Sequence, residues 1–367
     1  MKTNNVAQIH AFGQSVWLDF IDRKIMDNGD LQRLISDDGV RGITSNPAIF
    51  EKAISSSSDY DADISALAGS DLSHEDLFYA VAVGDIQRAS DIFRPIYDET
   101  PTGSDGYVSL EVSPFLARNT EGTIAQAIAL WKTVARKNVM IKIPGTAEGL
   151  PAIRETIAGG ININVTLLFS LERYQAVAEA YISGLEDRDQ AGLPIDNVAS
   201  VASFFLSRID TLIDPILVEK GVTDLKGEVA IASAKKAYEL YEQLFGSERF
   251  QKLAAKGAQP QRLLWASTGS KDPAFSDVKY MEALIGPNTV DTVPMDTLVA
   301  FRDHGVAANR LGNDLDTATA VLQKVADAGI DLAAITQQLE DEGIQKFNAP
   351  FQKLLDAIAA QRAKAIA

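Results

Sequence analysis

The chain has 367 residues, 46% of them apolar, and no cysteine, which excludes disulfides, thiolate metal sites and cysteine nucleophiles. With 34 basic and 50 acidic residues its formal net charge is −16, so a nucleic-acid partner is not expected, because such binding relies on basic patches that neutralise phosphates. A chain of this size supports one large α/β domain or two ordinary ones.

The N-terminal stretch MKTNNVAQIHAFGQ lacks the apolar core of a secretory signal peptide. No window of the sequence approaches the roughly 18 consecutive apolar residues that a membrane span needs. We therefore predict a cytoplasmic protein with no membrane partner. The sequence leaves open whether it is a monomer or a homodimer.

Short apolar runs alternate with longer amphipathic segments along the chain, an order that predicts parallel strands joined by helices. The helical segments at 73–93, 123–136, 170–185 and 226–245 repeat their apolar residues with the 3.6-residue period of an α-helix. The predicted strands are 15–21, 42–46, 107–113, 139–143, 161–169, 198–205, 262–268 and 288–295.

Eight strands in a chain of this length favour a closed (β/α)8 TIM barrel over an open doubly wound sheet. A doubly wound nucleotide-binding sheet should offer a Gly-rich loop after its first strand, and the stretch WLDFIDRKIMDNG leads into none. We expect residues 1–367 to form one barrel domain. Residues 314–367 have the pattern of helices alone and are expected to pack on the outside of the barrel or across its mouth.

Polar residues stand near the C-terminal end of nearly every predicted strand, the end at which barrels of this class carry their catalytic groups. A barrel interior otherwise favours branched apolar residues, so this repeated placement is not a packing requirement. In chain order the residues are Asp19, Asn46, Glu111, Lys142, Asn164 and Thr166, Ser203 with Arg208 on the following helix, and Lys271 after strand seven.

Each of these residues also has an ordinary structural interpretation. Asn46 precedes a proline and is typical of a turn, and Glu111 is a natural ion-pair partner for Lys142. Asn164 and Thr166 are two apart on one strand face and would fill the interior as a hydrogen-bonded pair. Only the joint pattern favours a reactive site.

The decisive residue is Lys142, which stands inside the apolar run VMIKI. Burying an ionised ammonium is costly, and burial lowers the pKa of a lysine from its ordinary value of about 10.4. A neutral amine attacks a ketone to form a Schiff base, which acts as an electron sink while an adjacent C–C bond breaks. The sequence therefore predicts Lys142 as a nucleophile inside the barrel.

The neighbouring polar groups fit the steps that such chemistry needs. Asp19 is the predicted base for a substrate hydroxyl, and Glu111 and Thr166 are placed to move protons through a water. Hydrogen bonds to sugar hydroxyls are assigned to Asn46 and Asn164. A phosphate grip is assigned to Arg208, Ser203 and Lys271, since arginine offers a fork-like set of donors and barrels often bind phosphate after strand seven.

The motifs GITSNPAIF, SLEVSP, MIKIPGT, NINVTLLFS and SFFLSRID resemble the signatures of the transaldolase family, in the same order. The resemblance covers about residues 17–270, and the helical tail that follows is similar to that of the family. It implies a cofactor-free class I aldolase-type barrel of the pentose phosphate pathway. Such an enzyme moves a dihydroxyacetone unit from sedoheptulose 7-phosphate to glyceraldehyde 3-phosphate, giving erythrose 4-phosphate and fructose 6-phosphate.

The same resemblance implies roles for individual residues. Lys142 forms the Schiff base, Asp19 and Glu111 act as acid and base, and Thr166 holds the catalytic water. The resemblance also makes Asn46 and Asn164 donor contacts and gives phosphate to Ser203 and Arg208. One departure is that many members carry an arginine after strand seven, where the nearest cation here is Lys271.

Three alternatives remain open at this point. The family has an aldolase branch that releases free dihydroxyacetone; it tends to carry Gln where Glu111 stands and Tyr where Phe205 stands, so those two residues favour the transferase. A metal-dependent barrel hydrolase or lyase would use Asp19 and Glu111 as ligands. A non-catalytic barrel would keep the shape of the site without turnover. No acid and histidine cluster has convincing metal spacing, so neither a metal nor a cofactor is predicted.

Overall fold

The computed structural model describes residues 4–100 and 104–366. Its centre is a closed barrel of eight parallel strands in sequential order, with β8 pairing back onto β1. This confirms the predicted (β/α)8 TIM barrel. The strands are Gln14–Asp19 (β1), Gly42–Thr44 (β2), Tyr107–Glu111 (β3), Val139–Pro144 (β4), Ile163–Leu168 (β5), Ser200–Phe205 (β6), Arg262–Ala266 (β7) and Thr289–Val293 (β8).

Helices surround the barrel and connect its strands. The α-helices are Arg23–Asp27 (α1), Asp30–Asp37 (α2), Pro47–Ser55 (α3), Asp61–Leu67 (α4), His74–Glu99 (α5), Thr120–Val134 (α6), Gly149–Ala158 (α7), Leu171–Gln190 (α8), Ser207–Glu219 (α9), Val229–Gly246 (α10), Glu248–Ala254 (α11), Lys279–Ala283 (α12), Met295–His304 (α13), Leu315–Asp327 (α14) and Leu332–Ile366 (α15). Short 3-10 helices at Ala7–Phe12, Pro114–Leu116 and Thr223–Leu225 complete these connections.

Every predicted strand has a counterpart in the barrel, and the differences lie at the ends. The predicted strand 42–46 is the three-residue β2, because Asn46 leaves the strand to cap α3. Similarly, the predicted strand 161–169 shortens to β5. The polar Ser45 and Asn46 follow β2, whereas Ile161, Asn162 and Phe169, which flank β5, are buried but lie outside the strand.

Pairing between adjacent strands sets the heights of the polar residues. Glu111 on β3 is in register with Lys142 on β4, and Lys142 is in register with Asn164 on β5. Register partners in a parallel sheet point to the same face. The three side chains therefore form one row across three neighbouring strands.

The strand β5 is irregular at its C-terminal end. Its pairing with β6 shifts between Val165 and Leu168, and Leu167 has a left-handed backbone with φ of 60°. A non-glycine residue in this region is uncommon, and such conformations concentrate near functional sites. The irregularity directly follows Thr166.

The C-terminal region is helical, as predicted, with α14 and the 35-residue α15. Helix α15 packs against α3, α4 and α5, which lie between β2 and β3, against α9, which follows β6, and against β5 itself. It therefore crosses the end of the barrel at which those strands terminate. Among the residues that the structure describes, no helix combines the length and apolarity that crossing a membrane requires.

Candidate active site

Lys142 lies inside the barrel, with 5% of the residue exposed. Its strand β4 pairs on both sides, so it is not an edge strand whose lysine reaches solvent. The Nζ atom donates a hydrogen bond to the carbonyl oxygen of Ser45 at 3.2 Å and lies 3.7 Å from Oε2 of Glu111. The ring centroid of Phe347 on α15 is 5.8 Å from the same nitrogen. The amine is thus enclosed by a carbonyl, a carboxylate and an aromatic face.

Glu111 is equally buried, and burial raises the pKa of its carboxyl to about 7. The charge of Lys142 opposes this rise, whereas the charge of Asp19 adds to it. Neither oxygen of Glu111 has a hydrogen-bond partner among the described residues. A carboxyl with a pKa near neutrality exchanges protons in both directions at physiological pH, which is the property of a general acid and base.

Asp19 ends β1 and accepts a 2.7 Å hydrogen bond from the hydroxyl of Thr44 on β2. The Thr44 hydroxyl also lies 2.7 Å from that of Thr292 on β8. Thr44 and Thr292 were missed from the sequence. The strand alternation that placed Asn46 inward also places Thr44 inward, so the signal for it was available. Thr44 therefore holds the Asp19 carboxylate, and Thr292 in turn contacts Thr44.

Asn164 is fully buried and uses both ends of its amide within the protein. Its Nδ2 donates to Oγ of Ser109 at 3.0 Å, and its Oδ1 accepts from Oγ of Ser203 at 2.7 Å. Asn164 therefore bridges β3 and β6. The Thr166 hydroxyl oxygen, two residues further along β5, is buried and has no hydrogen-bond partner among the described residues.

Asn46 has the ordinary role that the sequence left open as well as its place near the site. Its Oδ1 accepts a 3.1 Å hydrogen bond from the backbone N–H of Ile49 and so caps the N-terminus of α3. The preceding residue, Ser45, is fixed by a 2.8 Å hydrogen bond from its hydroxyl to the carbonyl of Ser109. That bond orients the Ser45 carbonyl that Lys142 contacts.

Arg208 is the second residue of α9, directly beyond the end of β6. Its Cζ lies 5.1 Å from the ring centroid of Phe205 and 5.8 Å from that of Phe347. Burial lowers the pKa of the guanidinium, and the charges of Asp19 and Glu111 partly oppose this effect. The Nη1 atom is buried without a hydrogen-bond partner among the described residues. A half-buried guanidinium whose Nη1 lacks a partner is suited to bind an anion from solution.

Lys271 is the one predicted site residue that the structure does not bring into this group. It is exposed and lines a groove on the outer side of α9 together with Asp214, Lys226 and Asp272. No described hydrogen bond, ion pair or ring contact joins it to Arg208. The groove is lined by α9, by the segment around Lys226 and by the loop of Lys271 itself, and its lining includes none of Lys142, Glu111 and Arg208.

The histidines His10 and His304 have partners away from the row of Glu111, Lys142 and Asn164. His10 contacts the carbonyl of Gly39, and His304 pairs with Asp277 at the surface. In residues 4–100 and 104–366, no three or more His, Cys, Asp or Glu side chains are grouped so that they could hold a metal ion.

Comparison with known proteins places this barrel in a family. The family model described as "Transaldolase/Fructose-6-phosphate aldolase" matches residues 16–358. The chain belongs to the transaldolase/fructose-6-phosphate aldolase family. The matched range includes all the predicted site residues and most of helix α15, so the membership covers the barrel and its C-terminal helix alike.

Individual relatives match this family member over nearly their whole length. A protein of Trichodesmium erythraeum named transaldolase is 48% identical over 371 residues, covering 98% of this chain and 97% of the relative. A transaldolase of Saccharopolyspora erythraea is 47% identical over 364 residues, covering 98% of this chain and 99% of the relative. A transaldolase of Thermobifida fusca is 46% identical over 361 residues, covering 97% of this chain and 98% of the relative. The resemblance inferred from the sequence motifs is therefore confirmed.

Proposed function

We propose that this member of the family is a transaldolase that transfers a dihydroxyacetone unit from sedoheptulose 7-phosphate to glyceraldehyde 3-phosphate. The products are erythrose 4-phosphate and fructose 6-phosphate, and the covalent intermediate is a Schiff base on Lys142. Similarity to transaldolases along nearly the whole chain supports the reaction. The observation that carries the mechanism is the buried contact of 3.7 Å between Lys142 Nζ and Glu111 Oε2.

The first step is attack of the Lys142 amine on the C2 carbonyl of the ketose. Only the free amine attacks, so a proton must leave the nitrogen before the C–N bond forms. Glu111 accepts it, directly or through a water held with Thr166, because the raised pKa of about 7 makes this carboxyl a competent proton carrier. The carbinolamine then loses water to give the iminium ion.

The second step breaks the C3–C4 bond of the donor sugar. Asp19 accepts the proton of the C4 hydroxyl, the bonding electrons flow into the iminium, and an aldehyde leaves. The dihydroxyacetone unit stays on Lys142 as an enamine. The hydrogen bond from Thr44 fixes the Asp19 carboxylate in one orientation, which is what a positioned base requires. Attack of the enamine on the acceptor aldehyde reverses these steps.

Binding of the phosphate falls to Arg208. Because the net charge of −16 repels an anionic substrate at long range, the site needs a local cation. Arg208 sits beyond β6 with an unpartnered Nη1, at the height where the strand ends meet. Ser203 and Asn164, joined by a hydrogen bond, are assigned to the substrate at one end of the catalytic row, and Asn46, which lines a small pocket with Glu111, at the other.

The experiment that tests this proposal is covalent trapping. Fructose 6-phosphate and borohydride are added to the protein, and mass spectrometry of peptides locates the reduced adduct. We expect a three-carbon adduct on Lys142 and its loss in Lys142→Met, together with a fall in kcat on the order of 10⁴-fold or more. A Lys142→Met protein that keeps its activity would refute the mechanism.

Other outcomes of the same set of assays separate the alternatives. Fast release of free dihydroxyacetone without an acceptor aldehyde would identify a fructose 6-phosphate aldolase, the other activity in the family name. Activity that is lost in chelator and restored by a divalent ion would favour a metal-dependent enzyme. Binding of sugar phosphate without turnover would favour a non-catalytic barrel. The single-domain assignment for 1–367, the cytoplasmic location and the oligomeric state stay predictions.

A further inference from the structure

Helix α15 places one aromatic ring over two charged groups of the site. Phe347 is buried, and its ring centroid lies 5.8 Å from Lys142 Nζ and 5.8 Å from Arg208 Cζ. One turn earlier, a Cβ added at Gly343 would stand 3.0 Å from Leu167 Cδ2, so the helix backbone approaches the end of β5 closely. The ring therefore packs over the mouth of the barrel.

The helix is anchored on both sides of Phe347. Before it, Glu340 is buried and lies 3.3 Å from Nε of Arg173 on α8. After it, Arg362 donates hydrogen bonds to the carbonyls of Ala68 at 2.8 Å and Leu72 at 2.6 Å, and also to that of Ser70. An arginine bound to three carbonyls of one loop holds the distal part of α15 on the end of α4.

These contacts fix where a bound substrate chain must lie. If the proposed function is correct, the ketose carbonyl carbon is joined to Lys142 and the phosphate is bound by Arg208. The carbon chain that joins them must then pass next to Phe347, because the ring centroid lies within 5.8 Å of both groups. The opposite side of the chain faces the barrel wall, which carries Glu111 and Thr166.

The enamine left on Lys142 has two fates. In transfer, its nucleophilic carbon attacks the acceptor aldehyde and forms a C–C bond. In release, that carbon takes a proton instead; water then adds to the iminium carbon, the C–N bond breaks, and free dihydroxyacetone leaves with the lysine amine restored. The water consumed balances the water lost when the Schiff base formed, so no other reactant is needed.

The geometry points to Phe347 as a specificity-determining residue that favours transfer over release. This inference rests on the proposed function and adds a role for α15. After the phosphorylated aldehyde has left, the phenyl ring still covers the three-carbon unit on Lys142 and keeps bulk water, the proton source, away from the enamine carbon. The catalytic water, which takes part in forming and breaking the C–N bond, lies on the side of the barrel wall, so the ring does not block it.

The test compares two rates in each variant: free dihydroxyacetone released from fructose 6-phosphate alone, and erythrose 4-phosphate formed with acceptor present. In Phe347→Ala we expect the ratio of release to transfer to rise about tenfold or more, because the shield is gone. Phe347→Leu keeps an apolar side chain and should raise it less. Both variants should still give the borohydride adduct on Lys142.

A second variant is designed to loosen the packing of Phe347 over the site without changing any residue of the site. Arg362→Met removes the distal anchor of α15, so the ratio should rise in the same direction while Phe347 is intact. Lys353→Ala, an exposed position on the same helix, is the matched control and should leave the ratio at the wild-type value. If Phe347→Ala fails to fold, Phe347→Leu and Arg362→Met decide the question.

An unchanged ratio in folded variants that retain the Lys142 adduct would overturn the role of Phe347 and leave the proposed function standing. Absence of the adduct in the wild-type protein would instead overturn the proposed function. A rise in the ratio with Lys353→Ala as large as that with Arg362→Met would also count against the inference.

Discussion

The two ends of the barrel both bury charged side chains, and they treat them differently. At the base, where the strands begin, Asp105 accepts hydrogen bonds from Ser15 at 2.7 Å and Trp17 at 3.2 Å, and Arg262 pairs with it at 3.2 Å. Every oxygen of that carboxylate has a partner. The cluster is thus satisfied by the protein itself.

At the mouth, the comparable groups are left without such partners. Both oxygens of Glu111, the hydroxyl of Thr166 and Nη1 of Arg208 make no hydrogen bond among the described residues. Leaving a buried polar group unpaired costs about 1–3 kcal/mol, so this arrangement weakens the fold. The difference teaches that the charged cluster at the base is satisfied by the protein itself, whereas the charged groups at the mouth keep unpaired atoms that a ligand can bind.

The largest effect is expected from Glu111→Gln at the mouth. Removing a general acid and base lowers kcat by about 10²–10⁴-fold. In the wild type, kcat/KM should fall as the pH drops through about 7, because protonation removes the base; this limb should vanish in the variant. A pH–rate profile of both proteins measures it. An unchanged limb in Glu111→Gln would assign the titration to another group.

At the base, Arg262→Met should destabilise the protein without changing kcat. The variant leaves the Asp105 carboxylate buried without its cation, a loss of about 2–4 kcal/mol in the free energy of unfolding. Urea unfolding measures this loss. The double variant Asp105→Asn/Arg262→Met should recover part of the stability, since no unpaired charge remains. A large loss of kcat in a folded Arg262→Met protein would break the division between the two ends.

Arg208→Met and Lys271→Met form a matched pair that tests the phosphate site. Hydrogen bonds to a charged group contribute about 1.5–3 kcal/mol, so Arg208→Met should raise KM for sugar phosphates by about 10–150-fold. Lys271 lines a separate groove, and its variant should leave KM nearly unchanged. Steady-state kinetics decides between them. An equal rise in both would return Lys271 to the phosphate site.

Asp291 sharpens the comparison because it is a buried carboxyl that belongs to neither end. Strand alternation points it away from the barrel interior, opposite to Thr292, and burial raises its pKa to about 8. The folded state keeps a proton that the unfolded state loses above its ordinary pKa. The contribution of Asp291 to stability is therefore largest below the ordinary pKa of an aspartate, and it declines as the pH rises from there toward 8.

The variant Asp291→Asn should remove this decline and leave kcat unchanged. Relative to the wild type, its free energy of unfolding should rise by up to about 1.4 kcal/mol per pH unit between pH 5 and 8. Urea titrations at several pH values measure the trend. A parallel pH dependence in both proteins would show that Asp291 does not titrate in this range.

Much of this barrel was predictable from local patterns. The periodicity of apolar residues gave eight strands and the helices between them, and the alternation along β5 put Asn164 and Thr166 on one face. Lys142 was identifiable because a lysine in the middle of an apolar run is physically expensive. Thr44, which binds Asp19, and Thr292, which contacts Thr44, were missed, although Thr44 follows the same alternation as Asn46.

Other features have no local signal. The sequence around Lys271 does not distinguish a surface lysine from a phosphate ligand. The sequence around Phe347 does not distinguish a packing phenylalanine from one that covers a reactive amine. Lys271 was predicted at the phosphate site and lies in another groove, whereas Phe347 was not singled out and faces Lys142 and Arg208. Both outcomes depend on which elements meet in space.

The sequence by itself determined the closed parallel barrel, the end at which polar groups gather, and the lysine among them, because these follow from period, order and the cost of burying charge over a few residues. Only the tertiary structure decided that Glu111 and Lys142 share a register, that Asn164 bridges Ser109 and Ser203, and that α15 lies across the mouth. Contacts between residues far apart in the chain depend on strand register and helix packing, which no local pattern specifies.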